Sequence, residues 1–187
     1  MRKLILSQVV SLDGFTTDPN GEFVPPPWSD QVAQKWSGWA MEAGGLFVYG
    51  RVNFEYQRDF WTAAEHNEAM PEDMRAFARE FNKRPRAVVS RTLKGDPGWA
   101  AEVLPDVEAV GALKAEAGKD MICFGGADIA HSLADADLID EYRLMLVPYT
   151  LGGGKRLFDD KTRRDFELAE SITTDVGSLI LTYARKR

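Results

Sequence analysis

Three short stretches of this chain carry residue types suited to holding a bulky anion. In Phe124-Gly125-Gly126-Ala127-Asp128-Ile129, a short apolar run (Met121-Ile122-Cys123) ends in two adjacent glycines, and a helix-forming run from Ala127 to Ala134 begins at once. Paired glycines let the backbone approach a ligand closely. The free N–H groups of the new helix then point at it with the positive end of the helix dipole. Tyr49-Gly50-Arg51 and Val89-Ser90-Arg91 end apolar runs in a similar way. Arg51 and Arg91 could fork onto phosphate oxygens, and Asn53 and Ser90 could add neutral hydrogen bonds. A strand–Gly-Gly–helix junction alone is commonly plain chain reversal, so the argument rests on the three together. In an open parallel sheet, ligands bind beyond the carboxyl ends of the strands. If these three strands are parallel neighbours, their crevice suits a diphosphate with an additional phosphate, as in NADPH. A G-x-G-x-x-G fingerprint after the first strand is absent, which excludes the Rossmann pattern.

Two acids are candidates for proton chemistry. Asp30 follows the capping residue Ser29 and lies in sequence between Trp28 and Trp36. Apolar rings around it would raise its pKa and let it supply a proton directly or through water. The simpler reading is a first-turn acid favoured by the helix dipole. Asp13, in Leu12-Asp13-Gly14, is either functional or one half of an Asp-Gly turn. Arg58, Arg84 and Arg86 are further cations that could serve an anion site or a solvated face. Gly152-Gly153-Gly154 lacks the following helix and the Lys-Ser/Thr ending of a phosphate loop and reads as a wide turn. His66, His131 and Cys123 do not form a metal-ligand set, and Cys123, in an apolar strand, reads as packing.

These groups must be positioned by strands over 3–10, Leu46 to Tyr49, Arg86 to Val89, Glu102 to Leu104, Met121 to Phe124 and Glu141 to Pro148. Helices are expected from Ser29 to Gly44-Gly45, from Arg51 through Tyr56, after Pro71, after Asp106 and over Ala127 to Ala134. Phe166 to Thr173 and Ser178 to Ala184 read as an antiparallel pair turning at Asp175-Val176-Gly177. The fold class expected is α/β: a mainly parallel central sheet with helices on both faces and a C-terminal antiparallel hairpin at the edge. The 187 residues read as a single domain over 1–187. A net charge of −6 argues against nucleic-acid partners. The absence of a signal-peptide pattern or membrane-length apolar run, together with one cysteine, suits a cytoplasmic protein. The apolar strand Leu144 to Val147, followed by Pro148 and the glycine-rich turn, offers a surface for a homodimer.

The order and spacing of several motifs extend the reading across nearly the whole chain. They are Ser11-Leu12-Asp13-Gly14, Gly50-Arg51, Ser90-Arg91, Phe124-Gly125-Gly126, Leu138-Ile139-Asp140-Glu141, Val147-Pro148 with Leu151-Gly152-Gly153-Gly154, and Leu157-Phe158. Together they resemble the dihydrofolate reductase-like superfamily, in the branch holding the reductase domain of the bacterial riboflavin-biosynthesis deaminase–reductase. The resemblance implies an NADPH-dependent reductase of a small heteroaromatic substrate, pterin- or pyrimidine-like. It implies Gly50, Arg51 and Asn53 beside the adenosine and diphosphate, and Ser90 and Arg91 toward the 2′-phosphate. Gly125, Gly126, Ala127, Asp128 and Ile129 would border the diphosphate, and backbone near Val9 and Val10 the nicotinamide. Asp30 takes a place comparable to the early-helix carboxylate of dihydrofolate reductases. The chain departs from the branch in lacking a preceding zinc deaminase domain. It also has Pro25-Pro26-Pro27-Trp28 and a helical stretch Val52 to Phe60 where riboflavin reductases carry Trp-Ile-Thr and Asp-Asp-Pro segments. A different class of function, a nucleotide-binding sensor that keeps the fold without turnover, is the alternative.

Overall fold

The computed structural model describes residues 1–158 and 162–186. Eight strands form one sheet: β1 (Leu4–Val10), β2 (Gly44–Gly50), β3 (Arg86–Val89), β4 (Ala101–Leu104), β5 (Asp120–Cys123), β6 (Glu141–Leu146), β7 (Phe166–Thr173) and β8 (Leu179–Arg185). Their order is β4-β3-β2-β5-β1-β6-β8-β7. The first six strands are mutually parallel, and β8 pairs antiparallel with both β6 and β7. The central strands are short apolar runs because helices cover both of their faces. Leu4, Leu6, Val48, Met121 and Cys123 pack on one side, and Phe47, Tyr49, Val88 and Ile122 on the other. The expected α/β class, with a parallel centre and a hairpin at the edge, is the one observed. The outermost strand β7 is exposed along most of its length, and its pairing with β8 shifts register between Leu168 and Glu170.

Among the described residues, five helical segments clothe the sheet. The first, α1, joins three consecutive pieces: an α-turn Asp30–Val32, a π-helical Ala33–Gly38 and an α-helical Trp39–Ala43. The others are α2 (Arg51–His66), α3 (Glu72–Asn82), α4 (Val107–Ala115) and α5 (Ala127–Asp135). The first three cover the Phe47–Tyr49 face, whereas α4 and α5 bury Val110, Ile129, Ala130 and Leu133 against the Leu4–Leu6 face. Inside α1, the buried Arg143 guanidinium of β6 donates to the Lys35 carbonyl at 3.0 Å and lies 4.2 Å over the Trp39 ring. A widened turn at this point fits the known use of π-segments where a side chain engages the helix ladder.

Two boundaries differ from the sequence expectation for identifiable reasons. Gly44-Gly45 follow the helix directly but already belong to β2, which the sequence pattern starts at Leu46; a Cβ on Gly44 would run into the Phe47 ring and the Ala40 carbonyl. The α2 helix continues past Tyr56 and Phe60 to His66 because Trp61 packs on Phe77 and Phe81, with ring centroids at 5.2 and 5.3 Å. The polar residues in that stretch hid this contact from the apolar periodicity.

At the opposite end of the sheet, Lys114 of α4 is nearly buried. It pairs with Asp140 at 2.6 Å and donates to the Leu138 carbonyl, while Asp140 accepts from the Leu4 N–H at 2.9 Å. This cluster ties α4 to the starts of β1 and β6. Removing one partner of a buried pair leaves the other without compensation. Lys114→Ala is therefore expected to lower unfolding free energy by roughly 3 kcal/mol, as read from the midpoint of a urea titration at neutral pH; no shift of the midpoint would refute the assignment.

Candidate functional site

A groove of about 460 Å³ lies beyond the carboxyl ends of β3, β2 and β5. These strands are parallel neighbours, as the crevice argument required. Of the residues predicted to hold a cofactor, Gly50, Arg51, Asn53, Ser90, Arg91, Gly125, Gly126, Asp128 and Ile129 line it. Ala127 is buried just behind them in the first turn of α5. Val9 and Val10 lie on β1, across β5 from this groove, and do not line it. Pro105, Asp106, Val107 and Glu108 form a further wall that the sequence reading did not assign to a site. Asp106 caps α4, accepting from Ala109 N–H at 2.9 Å.

The electrostatic character of the groove comes from helix ends. Among the described residues α2, which starts after Gly50, and α5, which starts after Gly126, lack a side-chain cap, as does α3 after Pro71, away from the groove; α1 and α4 are capped by Ser29 and Asp106. Two uncapped N-termini therefore present unpaired N–H donors and dipole ends to one space. Glycine permits this twice over. Gly125 and Gly126 adopt φ of +65° and +85°, which side chains at those positions would resist, and the bare Gly50 lets Ile129 pack against the backbone.

Individual polar groups divide their work. The Asn53 amide donates to the Phe124 carbonyl at 2.5 Å, so it braces the glycine turn. Ser90 Oγ accepts from Leu93 N–H at 3.0 Å and shapes the bend after β3. Arg51 pairs with Glu55 at 2.8 Å on the next helical turn, and Arg91 is exposed with no ion pair among the described residues. Asp128, an acid in the first turn of α5, is matched by Lys155 at 2.5 Å. Arg58, Arg84 and Arg86 lie outside the groove. Arg58 pairs with Asp59, Arg84 donates to the Met41 carbonyl, and Arg86 is buried under backbone carbonyls, 3.6 Å from the Trp99 ring.

The topology gives the site a second half. The chain leaves β1 and β2 toward one face of the sheet, into α1 and α2. It leaves β5 toward the other, into α5. Neighbouring strands whose connections depart to opposite faces open a crevice between them, here on either side of β5. The β1 side is roofed by the loop after Val10. Asp13 accepts from Ser11 Oγ at 2.6 Å, Leu151 N–H at 3.0 Å and Gly152 N–H at 2.7 Å. Thr16 N–H donates to the Lys155 carbonyl, and Thr17 Oγ1 accepts from Lys155 N–H. The glycine run 152–154 is thus the seat of this loop, and Gly154 is required because a Cβ would strike the Thr17 carbonyl. Tyr149 OH donates to the Val24 carbonyl at 3.2 Å. Asp30 stands exposed on the first turn of α1, without an ion pair among the described residues. The aromatic enclosure expected for it is not formed: Trp28 is half exposed, and Trp36 packs into the core with Val32, Met145 and Ile180. His131 Nε2 lies 3.0 Å from the Leu157 carbonyl, a structural contact. Among the described residues no cluster of His, Cys, Asp and Glu suits a metal ion, and no helix is long and apolar enough to cross a membrane.

An eight-stranded sheet of this order, with its crevice at the reversal of crossovers, defines a dihydrofolate reductase-like fold. Solved structures share it. A protein assigned to riboflavin biosynthesis from Shewanella sp. PV-4 is 24% identical, with a TM-score of 0.74 and 99% of each chain covered. Dihydrofolate reductase from Enterococcus faecalis, complexed with NADP(H) and RAB-propyl, is 14% identical, with a TM-score of 0.67 over 99% of this chain and 97% of that one. A pyrimidine reductase-like protein from Corynebacterium diphtheriae is 15% identical, with a TM-score of 0.69 over 100% and 92%. Within this fold, the chain belongs to the RibD C-terminal domain family, whose model matches residues 2–180. It is also similar to the uncharacterized protein YyaP of Bacillus subtilis (strain 168), 28% identical over 184 residues, which cover 97% of this chain and 94% of that protein. Family and fold together support a reductase-type function.

The bonds that Asp13 accepts, the Ser11 hydroxyl foremost, bring its pKa from the ordinary 3.8 down to about 2. A carboxylate depressed in the folded state stabilises fully above its unfolded value, and that contribution is lost as the pH falls through the folded one. Acid unfolding followed by circular dichroism should therefore show an Asp13-dependent loss between pH 4 and 2, which Asp13→Asn removes. An unchanged acid profile in the variant would contradict the role of Asp13 in fixing this loop.

Proposed function

We propose that this protein is an NADPH-dependent reductase of a small heteroaromatic substrate, pterin- or pyrimidine-like. The observation that carries the proposal is the convergence of two uncapped helix N-termini, with Arg51 and Arg91 beside them, on one groove next to the β5 crossover. A diphosphate matches the paired donors, and an additional phosphate matches the arginines. The membership in the RibD C-terminal domain family, the NADP(H) held by the Enterococcus faecalis relative of the same fold and the pyrimidine reductase-like neighbour support the same reading.

In this reading Gly125, Gly126 and the N–H groups of Ala127, Asp128 and Ile129 hold the diphosphate, with Asn53 bracing the turn through the Phe124 carbonyl. Gly50 and Arg51 lie along the adenosine side, and Ser90 and Arg91 face the 2′-phosphate. Val9 and Val10 present backbone at the β1 side of the crevice, where the nicotinamide belongs. When bound, the cofactor supplies a hydride to an electrophilic carbon. A proton must reach the adjacent heteroatom. Of the two candidate carboxyls, Asp30 is exposed and free to exchange protons through water. Asp13 is held by three donors and positions the roof of the crevice.

NADPH fluorescence titration tests the binding step directly. The expected result is a clear preference for NADPH over NADH, narrowed about tenfold by Arg51→Ala or Arg91→Ala, which corresponds to one charge-assisted contact. Absence of NADPH binding at high micromolar concentration would overturn the proposal. Tight binding without NADPH oxidation across dihydropterins, dihydrofolate and aminopyrimidine riboflavin precursors would favour a nucleotide-binding sensor, a reading consistent with the open setting of Asp30.

A further inference from the structure

Gln8 of β1 is buried, 9% exposed, and its side-chain amide is only half used. Nε2 donates to the neighbouring Val9 carbonyl at 3.2 Å, while Oε1 meets no donor among the described residues. Exchanging the two atoms would set Oε1 against the Val9 oxygen, so the orientation is fixed by that contact. The position of the unpaired oxygen is informative. The β1–β5 ladder runs Leu4↔Met121, Ile5↔Ile122 and Leu6↔Cys123, then the strands part. Gln8 sits just past that point, and Oε1 occupies the space a side chain at position 125 would need. It therefore lies in the gap where the β1 and β5 crossovers separate. Ser7 and Tyr49 also have unpaired hydroxyls, but Ser7 points to the other face of β1 and Tyr49 into the aromatic core. Gln8 alone among these three is placed at the crevice.

A buried acceptor without a donor is costly unless another partner supplies one. A primary carboxamide is the complementary group: its N–H can give to Oε1, and its oxygen can accept from Nε2. We propose that Gln8 is a cofactor-positioning residue that receives the carboxamide of a nicotinamide ring at the β1–β5 gap. The inference rests on the NADPH reading above. It sets Gln8 apart from the groove residues, which would hold the other end of the dinucleotide.

Binding of three probes separates these ends. NADPH carries the carboxamide, its 3-acetylpyridine analogue replaces the amide N–H donor with a methyl group, and 2′,5′-ADP lacks the ring altogether. The expected result is that Gln8→Leu weakens NADPH binding about fivefold to tenfold, leaves 2′,5′-ADP within twofold, and abolishes the wild-type preference for NADPH over the acetylpyridine analogue. Gln8→Met, close in length, should do the same, and thermal melting confirms that both variants are folded. Equal weakening of NADPH and 2′,5′-ADP, or unchanged NADPH affinity in both variants, would overturn the role of Gln8 alone. Failure of the wild-type protein to bind either NADPH or 2′,5′-ADP would overturn the cofactor reading and this inference with it.

Discussion

Everything at the functional end of the molecule follows from the direction in which the chain leaves β5. Both neighbours of that strand send their connections to one face of the sheet, whereas β5 sends its helix to the other. The reversal must be made within three residues, because Cys123 is still in the ladder and Ala127 is already helical. Only residues tolerant of positive φ make such a turn without strain, hence Gly125 and Gly126. The turn in turn dictates what surrounds it: Asn53 must brace its carbonyl, Gly50 must be bare so that Ile129 can pack, and Gln8 must fill the space beside Gly125. One backbone constraint thus selects residues on three separate strands and helices.

The absence of caps on α2 and α5 is the complementary electrical feature. Helix starts are ordinarily closed by a side chain, and this chain does so at Ser29 and Asp106. Leaving two starts open concentrates unsatisfied donors in one place, which is unfavourable to folding unless solvent or a ligand takes them. Of the nearby acids, Glu55 is matched by Arg51, Asp128 by Lys155 and Asp106 by the Ala109 N–H of its own helix, while Glu108 also lines the groove. The open donors of two helix starts and the Arg91 guanidinium thus share one space in a chain whose net charge is −6.

Much of this was legible in the sequence, because the signals were local. Gly125-Gly126, Gly50-Arg51 and Ser90-Arg91 announce themselves by residue type at the end of apolar runs, and the hairpin by its turn residues. What was hidden depends on contacts distant along the chain. Asp13 reads as half of an Asp-Gly turn until Leu151 and Gly152 arrive to donate to it. Gly152-Gly153-Gly154 reads as slack until Thr17 is seen against it. Gln8 is one polar residue in an apolar strand, and the strand order that places it beside Gly125 has no local signature. The length of α2 was likewise set by rings on α3 rather than by its own pattern.

The register shift in β7 carries a consequence for the protein's behaviour in a crowded solution. An eight-residue strand at the end of a sheet offers a row of unused backbone groups, the template on which chains add to one another in fibrils. The irregularity between Leu168 and Glu170 interrupts that row near its middle. A bulged, sharply twisted edge cannot accept a long flat strand, because the spacing of donors and acceptors fails after a few residues. Glu167 and Glu170 add charge to the same edge. The strand that completes the sheet is thereby also the one that resists further strand addition, through the same irregular pairing that finishes the fold.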